Sequence, residues 1–214
     1  ATGMPSTLTM STAGTMSGTP VNADVGAHTI IVTATDSSSA AATVTDTYVL
    51  TVTNTNDAPT ATAISDASTA EDAAYSLDVS GNFADVDVGD TLSYAATGMP
   101  STLSMSTSGT ISGTPVNADV GAHTIIVTAT DSSSAAATAS DTFVLTVTNT
   151  NDAPTVSSAI SDASTAEDSA YSLDISGNFA DVDVGDTLSF AATGMPSTLT
   201  MSTAGTLSGT PVNA

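Results

Sequence analysis

The sequence predicts an all-β chain made of tandem seven-stranded antiparallel sandwiches of about 95 residues each. Three observations carry this. A segment that opens at Ala1 recurs at Ala96 and again at Ala192, so the chain repeats itself at intervals of 95 and then 96 residues. Within a repeat, short runs of alternating apolar and polar residues are separated by Gly, Pro, Asn and Asp clusters. The composition is 40% hydrophobic and only 4% aromatic, with Ser and Thr making up about a third, which favours strands and turns over helices.

Residues 1–60 and 96–155 differ at six positions, among them Met16/Ile111 and Tyr48/Phe143, and these swaps keep apolar character. A unit of this length matches one small sandwich and is too long for a solenoid repeat. The best boundary is Thr-Asn-Thr-Asn-Asp-Ala-Pro-Thr, at residues 53–60 and 148–155. Its Pro59 and Pro154 favour extended backbone and lack an N–H, as suits a linker entering a first strand. Residues 1–57 then read as the C-terminal part of one repeat, 58–153 as a complete repeat, and 154–214 as the N-terminal part of a third. The partial repeats are expected to be completed by more of the same chain or by a neighbouring one.

In the complete repeat the elements follow in order. Strand A is expected near 60–66 and B near 74–79, where Tyr75, Leu77 and Val79 recur at period two. C follows near 91–96, D near 103–106, and E near 110–113 after a tight Thr107-Ser108-Gly109 turn. F spans 123–129 and G spans 141–148, with Phe143, Leu145 and Val147 again at period two. One buried and one wet face per strand, seven times in about 95 residues, is an Ig-like sandwich.

The charge pattern excludes several functions. The chain has 22 acidic residues and no Lys or Arg, a formal net charge of -22. Nucleic-acid binding and attachment to anionic membranes both need cationic side chains. The longest apolar runs, such as Thr29-Ile30-Ile31-Val32, are far too short to span a bilayer. Without Cys there are no disulfides or thiolate metal sites, and without Lys no isopeptide crosslinks.

The acids are not scattered evenly. With the N-terminus of a sandwich at its top, the B–C and F–G loops are also at the top, and the A–B and E–F loops are at the bottom beside the exit linker. One repeat junction therefore gathers Asn54, Asn56, Asp57, Asp85, Asp87, Asp90 and Asp131, and the next gathers Glu71, Asp72, Asn149, Asn151, Asp152, Asp181, Asp183 and Asp186. Two carboxylates about 4 Å apart repel by roughly 4 kcal/mol at an effective dielectric of about 20. The acids could be solvated turn formers. Their convergence from several loops on one junction instead favours a hard cation, and oxygen-only ligands in Asp-x-Asp spacing suit Ca2+ better than magnesium.

Several motifs now fall together: Asn-Asp-Ala-Pro linkers, the early Glu71, the Asp-x-Asp-x-Gly-Asp loop at 85–90, Ser-Gly-Thr-Pro, and Val-Thr-Ala-Thr-Asp closing strand F. Over essentially the whole chain the sequence resembles the cadherin-like repeats of the dystroglycan type, also called putative Ig domains, found in tandem in large bacterial surface adhesins and extracellular proteins. The resemblance implies calcium at the inter-repeat junctions, with ligands at the positions named above. There is one departure. The linker starts with Asn where animal cadherins start with an acidic residue, which removes a carboxylate.

The expected function is a structural one: a calcium-stiffened repeat segment of an extracellular adhesin or filament at the cell surface. Its partners are other repeats of the same protein, with lateral self-association into fibres. The alternative is a binding module for homophilic adhesion or polysaccharide, although Tyr75, Tyr94 and Phe143 fall on the inward phase of their strands and leave few aromatics for a sugar platform. No enzyme is expected. His28 and His123 each open strand F and read as strand-end residues, and no nucleophile elbow, phosphate loop or His-based metal motif is present.

Overall fold

Alternating Ser/Thr and aliphatic residues give each segment a wet face and a dry face, and in the computed structural model, which describes residues 1–212, these segments pair into antiparallel sheets. The last two residues of the expected third repeat, Asn213 and Ala214, lie outside the described residues. In chain order the strands before the first linker are β1 (Leu8–Met10), β2 (Met16–Gly18), β3 (Gly26–Thr35) and β4 (Thr43–Val52). Between the linkers lie β5 (Thr60–Ala61), β6 (Ala67–Ala70), β7 (Tyr75–Asp78), β8 (Phe83–Ala84), β9 (Ser93–Thr97), β10 (Leu103–Met105), β11 (Thr110–Gly113), β12 (Gly121–Thr130) and β13 (Thr138–Thr148). After the second linker come β14 (Thr155–Val156), β15 (Tyr171–Asp174), β16 (Phe179–Ala180), β17 (Leu199–Met201) and β18 (Thr206–Gly209). The only helical turns among the described residues are one-turn 3-10 segments.

The residues fall into two compact units whose limits cut across the sequence repeats. The first comprises Ala1–Ala67, Tyr75–Gly113 and His123–Leu145, and the second comprises Ser68–Ala74, Thr114–Ala122 and the chain from Thr146 onward.

In the first unit, β1 pairs with β2 and β3 with β4 along its whole length, from Gly26↔Val52 to Thr35↔Thr43. A sheet of order β10-β11-β7 faces a sheet in which β9 pairs with β12 and β12 lies beside β13. Between them Val79, Leu103 and Ile111 meet Ile125, Val127, Ala129, Phe143 and Leu145, all buried. Phe83 meets Tyr94 edge to face with centroids 5.6 Å apart, and Tyr75 and Tyr94 pack half-buried against this core. Gly98 ends β9 with φ 80°, and a Cβ there would lie 2.1 Å from the Thr124 carbonyl oxygen, so only glycine lets the two backbones approach. In the second unit β15, β18 and β17 form one sheet and β14 pairs with β16. Ile175 is buried there, and Phe179 meets Phe190 edge to face.

Strands B to G form close to where the sequence places them; strand A does not form as one element. Of the run 60–66 only Thr60–Ala61 is strand, as β5, which pairs with β8; β6, which borders β13, begins just beyond it at Ala67. The break has a local cause. Asp141 Oδ2 takes the Ile64 amide at 2.6 Å, and Asn82 holds Thr62 and Ala63. Side chains thus satisfy the donors and acceptors a continuous ladder would have used, and the strand crosses between sheets. Pairing with β5 also makes Phe83 and Ala84, expected in the B–C loop, a short strand.

Neighbouring residues of β13 should respond very differently to truncation. Phe143→Ala should cost about 3–5 kcal/mol through cavity formation, while Thr142→Ala, on the exposed face, should stay within about 0.5 kcal/mol. Denaturant unfolding followed by circular dichroism checks both.

Candidate metal centre

The linker of the first unit reaches its acids by hydrogen bonds that the sequence alone does not reveal. After the turn at Asp85, whose carboxylate accepts the Asp87 amide at 2.9 Å, Asp87 is buried and turned toward the linker. There its Oδ2 accepts the Asp57 amide at 2.7 Å. Asn56 reaches the end of strand F, donating to Asp131 Oδ2 at 2.9 Å, and also donates to the Asp57 carbonyl. Asp131 is buried and closes the F–G loop through the Ser133 and Ala137 amides. Ser132 donates to Asp90 at 3.3 Å. The outcome is a ring of acids in which one carboxylate oxygen each of Asp85, Asp87 and Asp90 lie within 4.8 Å of one another.

The second unit repeats this arrangement from the other side of a linker. Asp183, 4% exposed, accepts the Asp152 amide at 2.7 Å, and its own amide donates to Asp181 at 3.0 Å. Glu71, 1% exposed, accepts the Thr150 amide at 2.8 Å, and its backbone N–H bonds the Thr148 carbonyl. Asp72 has a left-handed backbone, φ 58°, fixed by its amide bond to the Pro115 carbonyl. This turn places carboxylate oxygens of Glu71, Asp72 and Asp152 within 4.8 Å of one another.

Most of the expected ligands are therefore brought together, though not all equally. Asn151 bonds only the Asp152 carbonyl, Asp186 is exposed on the loop of Asp183, and Asn54 and Asn149 are exposed and bond no described residue. Two residues that sequence reasoning missed do reach the clusters. Asn22 donates to Asp57 Oδ2 at 2.8 Å and to Asp87 Oδ1 at 3.4 Å, and Asn117 donates to Asp152 Oδ2 at 2.7 Å. Their signal was the Pro-Val-Asn-Ala-Asp run between strands E and F, in the loop that lies at the exit-linker end of the sandwich.

Six oxygens in these clusters are buried without a hydrogen bond from any described residue. They are Asn56 Oδ1, Asp85 Oδ2 and Asp90 Oδ2 in the first unit, and Glu71 Oε2, Asn117 Oδ1 and Asp183 Oδ1 in the second. A buried acceptor left unpaired costs about 1–3 kcal/mol, and more when charged. The chain has no cationic side chain but two His to offer, and His28 is turned to the Asp24 carbonyl at 2.6 Å. Every donor atom is an oxygen, several are carboxylate, and the set is what a hard cation of calcium type accepts.

Not every buried acid belongs here. Asp24 caps its own 3-10 turn, accepting the Thr7 hydroxyl and the Val21 amide, which hold its carboxyl below the usual range.

Tandem antiparallel sandwiches with acid-lined linkers define a class of repeat proteins. The chain belongs to the family described as Putative Ig domain (He_PIG), whose model matches residues 1–53, 58–148 and 153–214. Among curated proteins no relative matches. Among solved structures, PcdhgB3 EC1-4 is similar at 19% identity with a TM-score of 0.57, covering 97% of this chain and 55% of its own. The protocadherin GammaB4 extracellular domain is similar at 20% identity with a TM-score of 0.52, covering 97% and 38%. These show the cadherin-like, Ig-like fold. An endo-fucoidan hydrolase of glycoside hydrolase family 107 aligns at 26% identity with a TM-score of 0.40, covering 98% of this chain and 34% of its own. The chain thus spans from about a third to about half of the length of these three solved chains.

The acids also predict a pH response. The Asn56 amide, with help from Ser133 and Ala137 and against some desolvation, holds the Asp131 carboxyl below its ordinary value. A depressed folded value means its stabilisation is present above the unfolded carboxylate range, near pH 4, and is lost as pH falls through the folded value. In chelator, Asn56→Ala should move the Asp131 carboxyl titration, read by NMR, upward toward the ordinary value.

Proposed function

We propose that the chain is a calcium-stiffened spacer segment of an extracellular adhesin or filament. One observation supports this above the others: Glu71, 99% buried in effect by its 1% exposure, keeps Oε2 without a partner beside Asp72 and Asp152. A buried carboxylate that stays charged needs hydrogen-bond donors or an opposite charge, and Oε2 has no donor among the described residues. Glu71, Asp72, Asp152 and Asp183 would hold the ion at one junction, and Asp85, Asp87, Asp90, Asn56 and Asp131 at the other. The ion supplies positive charge that cancels repulsion among these acids; the protein supplies their placement, through the Asp-x-Asp turn and the linker amides. Near-identical repeats serve length and stiffness, whereas a unique ligand site would need only one copy. The extracellular setting rests on the resemblance to cadherin-like repeats and on an acid-rich surface suited to solubility.

A second reading, lateral association of copies or homophilic adhesion, draws on a different observation. The outward face of β12 and β13 presents Thr124, Ile126, Thr128, Ser140, Thr142 and Val144, with no charge among them, on a chain of net charge -22. Two such faces can meet without desolvating a carboxylate.

Calorimetric titration of the 214-residue chain tests the leading reading. Calcium should bind and raise the thermal midpoint, by the equivalent of about 2.7 kcal/mol at one hundred times its Kd, and magnesium should bind more weakly. Asp181→Ala with Asp183→Ala should remove the sites of one junction and spare the other. Absence of calcium heat and of any thermal shift would make the acids solvated turns. For the second reading, sedimentation should show association that Thr142→Asp abolishes.

A further inference from the structure

We propose that Asn117, and Asn22 one repeat earlier, is a positioning residue that clamps the linker aspartate to the carboxylate loop of the following repeat without needing a cation. The consequence for ion binding rests on the calcium reading above; the clamp rests on protein contacts alone.

Asn117 opens the 3-10 segment Asn117–Asp119, and that turn is tied down by Asp119, whose carboxylate accepts the Val116 amide at 3.1 Å. From this fixed base its Nδ2 donates to Asp152 Oδ2 at 2.7 Å. The backbone N–H of Asp152 is held in turn by Asp183 Oδ2, also at 2.7 Å. The linker aspartate is thus gripped at both ends, its side chain by the E–F loop before it and its backbone by the Asp-x-Asp loop after it. The first unit builds the same grip from Asn22, Asp57 and Asp87, at 2.8 and 2.7 Å. These contacts use protein atoms only, so they persist when a cation leaves.

The residue type follows from the charge of the chain. With no Lys or Arg, the positive ends available to Asp152 are N–H and O–H dipoles, and a side-chain amide offers such a donor on a long enough arm without adding negative charge. An aspartate at 117 would set two anions at hydrogen-bonding distance. Asn117 meets the ligand cluster through Asp152, and its Oδ1 is buried without a hydrogen-bond partner, as are Glu71 Oε2 and Asp183 Oδ1, on residues 1% and 4% exposed. The amide therefore steadies Asp152 with its nitrogen while leaving its oxygen among the candidate ligands.

The test is hydrogen–deuterium exchange of the linker amides 149–153 in the full chain, with chelator and with calcium, for the wild type, Asn117→Asp and Asn117→Leu. Exchange in β12 reports folding, and Asn22→Asp repeats the test at the other linker. In chelator both variants should exchange at least tenfold faster at the linker with β12 unchanged. In calcium Asn117→Asp should regain wild-type protection and Asn117→Leu should not. Wild-type linker exchange in both variants in chelator would overturn the clamp, as would equal behaviour of the two variants in calcium where the wild-type linker itself responds to calcium, which would reduce Asn117 to packing. A wild-type linker indifferent to calcium would sink the calcium reading alone, because the chelator arm still decides the clamp.

Discussion

A chain with no Lys or Arg cannot neutralise a carboxylate with a side-chain cation, and the structure is organised around that constraint. Each buried acid has one of two fates. Some are absorbed by dipoles: Asp24 by a hydroxyl and a backbone amide, Asp131 by amides from a linker and a loop. Others, foremost Glu71 and Asp183, are only half absorbed, and each keeps an oxygen in the interior without a donor. Hydrogen bonds to the charged form stabilise it, but a buried, unpaired carboxylate oxygen remains costly. The acids left half satisfied are those of the linkers and the loops that meet them.

The sandwich makes this placement possible. A core of Ile, Val and Leu with Ala129, Phe83 and Phe143 fixes the strands around it, β10, β11, β12 and β13 among them, and the loops between them start from fixed ends. The Asp-x-Asp loop can then aim Asp87 or Asp183 at a linker amide, while Asp72 holds a left-handed backbone that a free loop would abandon. The same uniform core explains why six differences between the first two copies of the repeat, such as Tyr48/Phe143, leave its character intact.

Much of this was legible in the sequence because its signals are local. Period-two alternation at Phe143, Leu145 and Val147 places strand G and its buried face. The acids that converge were also legible, since loop parity in a sandwich says which loops share an end. Strand A was not, because its break depends on Asp141, a residue 77 positions from the Ile64 amide it takes. Asn22 and Asn117 were missed for a related reason: asparagine in a loop is ordinarily a turn former, and only the folded linker shows that their amides face an aspartate 35 residues on. Asn54 and Asn149 share the linker motif, but both are exposed and make no hydrogen bond to a described residue.

The central claim is that a cation completes these clusters and thereby fixes one repeat against the next. Small-angle scattering of the chain, first in calcium and then after chelation, tests it most directly. The account predicts a single extended particle in calcium and a broader distribution of dimensions in chelator, with reversal when calcium is restored. Superimposable profiles in the two conditions would contradict it and leave the acids as solvated loops on a calcium-indifferent fold.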